Sequence, residues 1–117
     1  MNVRQTLILW FWLNKQRIKN GKKVIYLRIT VNEKRSEFST GQYIEENWWD
    51  HKQQRVNARH PDATNINRVL DVIRSDIQRH FSLIIARQEN VTADAVKNVY
   101  LGIKEKEYNT LRSVWNA

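Results

Sequence analysis

The stretch KKVIYLRITVNEKRSEFSTG, residues 22–41, decides the fold. From residue 25 to residue 31 apolar and polar residues alternate, which is the pattern of a strand with one buried face. The apolar face holds Ile25, Leu27, Ile29 and Val31, and the other face holds Tyr26, Arg28 and Thr30. The alternation resumes at Arg35, so a tight turn at Asn32-Glu33-Lys34 is predicted to join two antiparallel strands. A face centred on Arg28 is unsuited to a core and needs another role.

A further strand is predicted before this stretch. Residues 5–15 are aromatic and too few for an isolated helix, and residues 16–23 supply a turn at Asn20-Gly21. The second strand is then predicted from Lys23 to Val31, and the third from Arg35 to about Thr40, ended by Gly41. These three strands form an antiparallel meander within residues 5–42.

A long helix is predicted to cover the apolar face of this sheet. After a polar loop, Pro61 and Asp62 signal its start. The apolar residues recur at spacings of three and four: Ile66, Val69, Leu70, Ile73, Ile77, Phe81, Ile84 and Ile85. The opposite face carries Arg68, Asp71, Arg74, Asp76 and Arg79 and is predicted to face solvent. This predicts an amphipathic helix over about residues 63–88.

The C-terminal third predicts a short second helix. Thr92 is its candidate N-cap and Gly102 its end, followed by a linker to residue 109. Thr110 would cap a new helix carrying Leu111, Val114 and Trp115, so we expect a longer protein to continue from here. The predicted fold class is α+β: a three-stranded antiparallel β-sheet packed on a long amphipathic α-helix, followed by a short second helix.

Composition narrows the functional classes. The 117 residues are 41% hydrophobic and contain no cysteine, which excludes disulfides and cysteine-ligated zinc. The longest apolar run, residues 7–13, is shorter than the roughly 20 residues that a membrane helix needs. The polar residues that follow it do not fit a signal-peptide cleavage site. We expect a soluble, cytoplasmic protein with no membrane or small-molecule partner.

Positive charge is concentrated in the first half of the chain. Residues 1–60 hold 12 Lys/Arg against 5 Asp/Glu, whereas residues 61–117 hold 8 against 7, out of a net charge of +8. A polyanion is the natural partner of such a segment.

Catalysis within these residues is not predicted. His51, His60 and His80 have no metal-ligand spacing, and the adjacent Glu45 and Glu46 read as solvated charge. With three glycines there is no phosphate-binding loop, and no nucleophile has a plausible base. We therefore expect no cofactor, no metal and no catalytic residue.

The face centred on Arg28 is the candidate site. Its side chains suit base edges in the major groove of double-stranded DNA, and the predicted base-contacting residues are Tyr26, Arg28, Thr30, Arg35, Glu37 and Ser39. The turns at its ends supply the predicted phosphate-contacting residues Lys15, Arg17, Lys19, Lys22, Lys23 and Lys34. The alternative is an ordinary solvated face on which Arg28 and Glu37 form a cross-strand pair.

The first strand leaves two alternatives open. If Leu7, Leu9, Phe11 and Leu13 face the core, then Ile8, Trp10 and Trp12 share the side of Arg28. The tryptophans would stack on unpaired bases in a single-stranded RNA binder. In a protein-interaction module they would instead be covered by the C-terminal segment or by another subunit. Trp48 and Trp49 are expected to anchor the loop to the sheet edge.

Residues 20–50 resemble the arm-type DNA-binding domain at the N-terminus of tyrosine recombinases of the phage-integrase family, which conjugative transposons and prophages carry. The resemblance lies in Gly21, the run from Ile25 to Asn32, the stretch Phe38-Ser39-Thr40-Gly41, and Trp49-Asp50. In weaker form it extends over the long helix and the helix within VTADAVKNVYLG, and NTLRSVWNA resembles the opening of a core-binding, SAM-like domain. Two features depart from the family: Glu33 replaces the usual glycine, which predicts a looser turn, and LILWFWL is unusually aromatic.

The resemblance implies an organisation and a function. Residues 1–90 would be the arm-type domain, 91–109 a short helix and linker, and 110–117 the start of the core-binding domain. The sheet would enter the major groove of arm-type sites, as the non-catalytic front of a recombinase that acts as a tetramer on DNA. The nucleophilic tyrosine would lie in a later domain, so none of Tyr26, Tyr43, Tyr100 and Tyr108 is expected to be catalytic.

Overall fold

Three antiparallel strands form the sheet in a computed structural model that describes residues 6–87 and 91–102. Strand β1 spans Leu7–Lys19, β2 spans Lys22–Val31 and β3 spans Lys34–Ile44. Their spatial order is β1-β2-β3, so β2 lies at the centre. This is the predicted meander, and the sheet packs on helices as expected for the α+β class.

Both hairpins turn through two residues in the left-handed region. Asn20 and Gly21 have φ of 54° and 76°, and Asn32 and Glu33 have φ of 50° and 74°. Positive φ at both central residues is the signature of a type I′ turn, whose twist matches that of the strands. The looser turn predicted from Glu33 is therefore wrong, because pairing continues up to Val31 and Lys34 on either side of it.

Two strands continue further than predicted, each past an irregularity. Asn14 pairs with Val24 and Ile18 with Lys23, so residues 15–17 bulge out of β1 before pairing resumes. In β3, Gly41 at φ 78° lies within a second register shift instead of ending the strand. Glycine adopts this φ without steric cost, so β3 bends and continues to Ile44.

Helix α1, Ala63–Ala86, covers one face of the sheet and ends two residues earlier than predicted. Its buried residues interleave with the inward side chains of all three strands in one core. That core contains Leu9, Phe11, Leu13, Ile25, Leu27, Ile29, Val31, Phe38, Ile44, Ile66, Leu70, Ile73, Ile77 and Ile84. One predicted solvent-facing residue, Arg74, instead lies over the Phe11 ring, 5.3 Å from its centroid.

The segment between sheet and helix is more ordered than the polar loop predicted there. A single 3₁₀ turn, Glu46–Trp48, leads into a small hairpin of β4 (Trp49–Asp50) and β5 (Arg55–Val56). Trp49 is buried in the core and Trp48 packs against it, so both tryptophans anchor this segment. At the free edge of β1, the Phe11 N–H donates to Gln54 Oε1 at 2.9 Å. The hairpin thereby covers part of an exposed strand edge.

A second helix, α2, occupies residues 93–102. Its predicted N-cap is confirmed, because the Ala95 N–H donates to Thr92 Oγ1 at 3.0 Å. Tyr100 is buried, with its ring 5.4 Å from Phe38 and 6.4 Å from His80. His80, on α1, is buried beside it. Because it is buried, the pKa of His80 is lowered below its ordinary value.

Several sequence predictions fall outside this description. Gly102 is its last residue, so the predicted linker and the helix expected after Thr110 are not covered. No helix among residues 6–87 and 91–102 has the length and apolar character needed to cross a bilayer.

Candidate nucleic-acid interface

The outer face of the sheet, opposite α1, carries three cross-strand rows of side chains. These rows are Ile8–Thr30–Arg35, Trp10–Arg28–Glu37 and Trp12–Tyr26–Ser39. We call these nine residues the outer face. The register brings together all six predicted base-contacting residues, and it puts the strand-one residues Ile8, Trp10 and Trp12 beside them, as the alternation predicts.

Arg28 is at the centre of the outer face and is held on two sides. Its Nε–H donates to Glu37 Oε1 at 2.7 Å, and its guanidinium carbon lies 5.3 Å from the Trp12 ring centroid. The Arg28 and Glu37 side chains are 32% and 30% exposed. The cross-strand pair that the sequence left as an alternative is therefore present, and it leaves the Arg28 side chain accessible.

Exposure varies across the remaining outer face. Arg35 and Ser39 are exposed, whereas Tyr26 is half-buried with its ring 5.4 Å from that of Trp12. Ile8 is 56% and Trp10 is 43% exposed, which is unusual for large apolar side chains. Within the described part of the chain Trp10 is thus uncovered. The C-terminal segment, which was one of the two covers considered for it, lies outside the described residues.

Three of the predicted phosphate-contacting lysines are paired with carboxylates. Lys15 and Lys23 contact the two oxygens of Glu46 at 2.9 and 2.5 Å, and Lys22 lies 3.7 Å from Glu45. Glu45 and Glu46 are partly exposed, in keeping with the predicted solvated charge, and each is in addition paired with lysine. Ile44, the last residue of β3, pairs with Lys23, so the glutamates that directly follow it lie at the hairpin end of β1 and β2.

The pKa of Glu46 reports this pairing. Hydrogen bonds from Lys23 and then Lys15, with the positive charge of both, lower the pKa of Glu46 to about 2. Glu46 is therefore ionised throughout the physiological range. Lys15 and Lys23 would have to exchange this carboxylate for a phosphate in order to grip DNA.

The other three predicted phosphate contacts are less constrained. Arg17 and Lys34 are exposed, and Lys19 Nζ lies 5.9 Å from the Tyr43 ring centroid. Among residues 6–87 and 91–102, no ion pair involves any of the three. They differ in this respect from Lys15, Lys22 and Lys23.

The histidines do not form a metal site. His60 is 3.3 Å from Glu45 and edge-on to Trp48, His51 is exposed, and His80 is in the core. In the part of the chain that the structure describes, no group of three or more His, Cys, Asp or Glu side chains could hold a metal ion.

Comparison with known proteins decides the family. A family model described as the arm DNA-binding domain matches residues 11–97, from β1 into α2. The chain belongs to the arm DNA-binding domain family. This family consists of the DNA-binding arm modules of integrase-type recombinases, so membership supports DNA binding by a non-catalytic module. No curated protein and no solved structure matches the chain.

Sequence reasoning missed one contact in the candidate site of this arm domain. Trp12 was assigned to base stacking or to protein docking, yet its ring supports the guanidinium of Arg28. The signal was present in the register, because Trp12 pairs with Tyr26 and is therefore diagonal to Arg28. Diagonal neighbours across two strands lie within reach of aromatic side chains.

Proposed function

We propose that this arm domain binds double-stranded DNA in a sequence-specific manner, with its outer face in the major groove. The observation that carries the proposal is the accessible Arg28 at the centre of a face of hydrogen-bonding side chains, on the side of the sheet opposite α1. Arg28, Thr30 and Arg35 would contact base edges, along with Tyr26 and Ser39.

The dimensions of the sheet support this mode of binding. Three strands spaced about 4.8 Å apart place the outer two strand axes roughly 10 Å from each other. The major groove of B-DNA is about 12 Å wide and admits a small β element. The sheet therefore matches the groove in width.

The separation of the basic hairpin ends sets the orientation of the strands. From Lys22 to Val31 is nine steps along β2, or roughly 30 Å at about 3.3 Å per residue. That distance exceeds the groove width but equals about nine base pairs along the duplex at 3.4 Å each. We propose that the strands run along the groove, so that Lys34 and the pair Arg17 and Lys19 contact phosphates far apart.

The phosphate contacts divide into two sets. Arg17, Lys19 and Lys34 would bind phosphates directly because no carboxylate among residues 6–87 and 91–102 pairs with them. Lys15, Lys22 and Lys23 would contribute less, because each must first leave Glu45 or Glu46. Lys23 contributes least, since its side chain is only 19% exposed.

The larger context is part of the same proposal. We infer that the chain is the front of a tyrosine recombinase encoded by a mobile element such as a conjugative transposon or prophage. It would recognise arm-type sites while other domains perform strand exchange as a tetramer, in the cytoplasm at the nucleoid.

A protein-docking role is the second candidate function. The exposure of Ile8 and Trp10 favours it, because neighbouring exposed apolar side chains often mark an interface. Single-stranded RNA binding is less well supported, since Trp12, one of its two predicted stacking platforms, is half-buried against Arg28 and Tyr26.

Fluorescence anisotropy with labelled duplexes tests the proposal. The logarithm of affinity should fall linearly with the logarithm of salt concentration, with a slope near −2.7 for three phosphate contacts and near −5.4 for six. Lys34→Ala should reduce the slope by about 0.9. The matched control Arg79→Ala, on an exposed helix residue paired with Asp76, should leave it unchanged.

Two outcomes would reject DNA binding by the outer face. One is equal affinity for single strands and duplex, which favours the RNA alternative. The other is a duplex affinity that depends neither on salt nor on Arg28→Ala, together with a protein partner whose binding is lost in Trp10→Ala. This result favours docking.

A further inference from the structure

Arg28 contacts two other residues of the outer face, Glu37 and Trp12. Glu37 engages the Nε–H of Arg28, and Trp12 lies against its guanidinium. We propose that Glu37 and Trp12 are positioning residues that present Arg28 end-on to a guanine, and that Glu37 contacts no base. This inference rests on the proposed function and assigns a different role to one residue first assigned to base contact.

The hydrogen bond fixes which donors of Arg28 remain. A guanidinium has five N–H donors in a planar fork, one on Nε and four on its two terminal nitrogens. Because Nε donates to Glu37 at 2.7 Å, the two terminal Nη groups remain as a parallel pair. Guanine presents O6 and N7 as a pair of acceptors in the major groove, and two parallel donors match it.

Two neighbours restrict Arg28 in complementary ways. Glu37 lies directly opposite it on β3 and holds the guanidinium at one edge, whereas Trp12 is on β1 and packs at 5.3 Å from the guanidinium carbon. Trp12 is itself packed against Tyr26, with ring centroids 5.4 Å apart. An arginine held from both flanking strands loses less conformational entropy when it binds a base.

The charge of Glu37 gives the inference a distinctive consequence. A carboxylate on a face that meets phosphates is repulsive unless a cation neutralises it. Arg28→Ala would therefore remove the guanine contact and also leave Glu37 uncompensated. Adding Glu37→Gln to Arg28→Ala removes the uncompensated charge and should restore part of the affinity that Arg28→Ala loses, whereas a base-reading Glu37 would make the double variant weaker still.

The experiment uses the full chain and a duplex recovered from a randomised library by selection with the wild-type protein. Each base pair of that duplex is substituted in turn, and affinities are measured for the wild type, Arg28→Ala, Glu37→Gln, Trp12→Leu and Arg28→Ala with Glu37→Gln. The matched control is Asp71→Asn, which makes the same change in charge on α1 at the exposed Arg55 pair. Circular dichroism checks that each variant is folded.

The expected result is that the single variants on the outer face are all affected at the same base pair. Glu37→Gln and Trp12→Leu should lose discrimination at the same base pair as Arg28→Ala, where the wild type prefers guanine by roughly 5- to 150-fold. Glu37→Gln should bind other duplexes as tightly as the wild type or more tightly. Loss of discrimination at a different base pair, or no loss, would overturn the positioning role of Glu37.

A measurement on the free protein separates this inference from the proposed function. In ¹⁵N relaxation, the Arg28 Nε–H should be as ordered as the backbone in the wild type and should become more mobile in Glu37→Gln, where a weaker, neutral acceptor replaces the carboxylate. An Arg28 Nε–H as mobile as that of the exposed Arg17 would overturn the positioning contact. If the wild type preferred no duplex, the proposed function and guanine reading would both fail, while the relaxation result would still decide whether Glu37 holds Arg28.

Discussion

The β2–β3 hairpin should become more stable when Glu33 is replaced by glycine. Glu33 is the second central residue of a type I′ turn at φ 74°, a conformation that crowds Cβ against the backbone in any residue except glycine. Left-handed backbone costs an L-residue roughly 1–2 kcal/mol. The Glu33 side chain is exposed, and within the described residues it forms no ion pair that the substitution would remove.

The magnitude follows from two opposing effects. Glycine removes the steric cost but adds about 0.5–1 kcal/mol of unfolded-state entropy. The free energy of unfolding should therefore rise by about 0.5–1 kcal/mol. In urea denaturation followed by tryptophan fluorescence, the midpoint should move up by roughly 0.3–0.7 M, for a typical slope of about 1.5 kcal/mol/M.

Two controls isolate the backbone effect. Glu33→Gln removes the charge but keeps Cβ, so its unfolding free energy should stay within about 0.5 kcal/mol of the wild type. Gly21→Ala makes the reverse change in the β1–β2 turn, where φ is 76° and an added Cβ meets no atom within 4 Å. It should destabilise the fold by about 1 kcal/mol through the backbone alone. Unchanged or lower stability in Glu33→Gly would refute the assignment of turn strain to this position.

Three further predictions concern the core, the second helix and the hairpin end. Ile77 is fully buried on α1, so Ile77→Ala should lower the free energy of unfolding, measured by urea titration, by about 2–5 kcal/mol. A loss below about 1 kcal/mol would contradict the packing of α1 on the sheet. Thr92→Ala should lower the free energy of unfolding by about 1 kcal/mol, and Thr92→Ser should be as stable as the wild type, because the side-chain oxygen caps α2. Equal stability of the wild type and both variants would contradict this cap. Since the pKa of Glu46 is lowered in the folded protein, its contribution is complete above about pH 4.5 and is lost as the pH falls toward about 2. The stability advantage over Glu46→Gln should disappear across that window, and an advantage that grew on acidification would contradict the Lys23 and Lys15 pairing.

The sheet and the long helix were predictable because their signals are periodic and local. Alternation from Ile25 to Val31 fixes which residues face inward, since a slip of one residue would expose the entire apolar set. The stripe from Ile66 to Ile84 works in the same way at helical spacing. Such patterns identify the buried face without any knowledge of the partner element.

The strand ends were less predictable because each follows an irregularity that interrupts the period-two alternation. Residues 16–19 read as turn, yet Ile18 and Lys19 pair with the start of β2 after a bulge that only the three-dimensional register reveals. Gly41 was predicted to end β3, but the strand bends there and continues to Ile44. In both places the chain departs from regular pairing, where period-two reasoning does not apply.

The parts of the candidate site that depend on long-range contacts could not be predicted from the sequence. The alternation placed Arg28 and Glu37 on one face, but the pairing of Glu46 with Lys15 and Lys23 depends on β3 continuing past Gly41 until Ile44 pairs with Lys23. His80 is buried partly because Tyr100 of α2 lies beside it, and neither residue carries a sequence signal of the other.

The central claim is that DNA meets the outer face and not the helical side of this arm domain. The most direct measurement is amide chemical-shift mapping of the full chain during titration with the selected duplex, at a salt concentration where binding is in fast exchange. The account predicts the largest changes at Arg28, Thr30 and Arg35 and at the basic hairpin ends, with the exposed face of α1 unaffected. Changes concentrated on α1 around Arg68 and Arg79, with Arg28 and its neighbours unmoved, would contradict it.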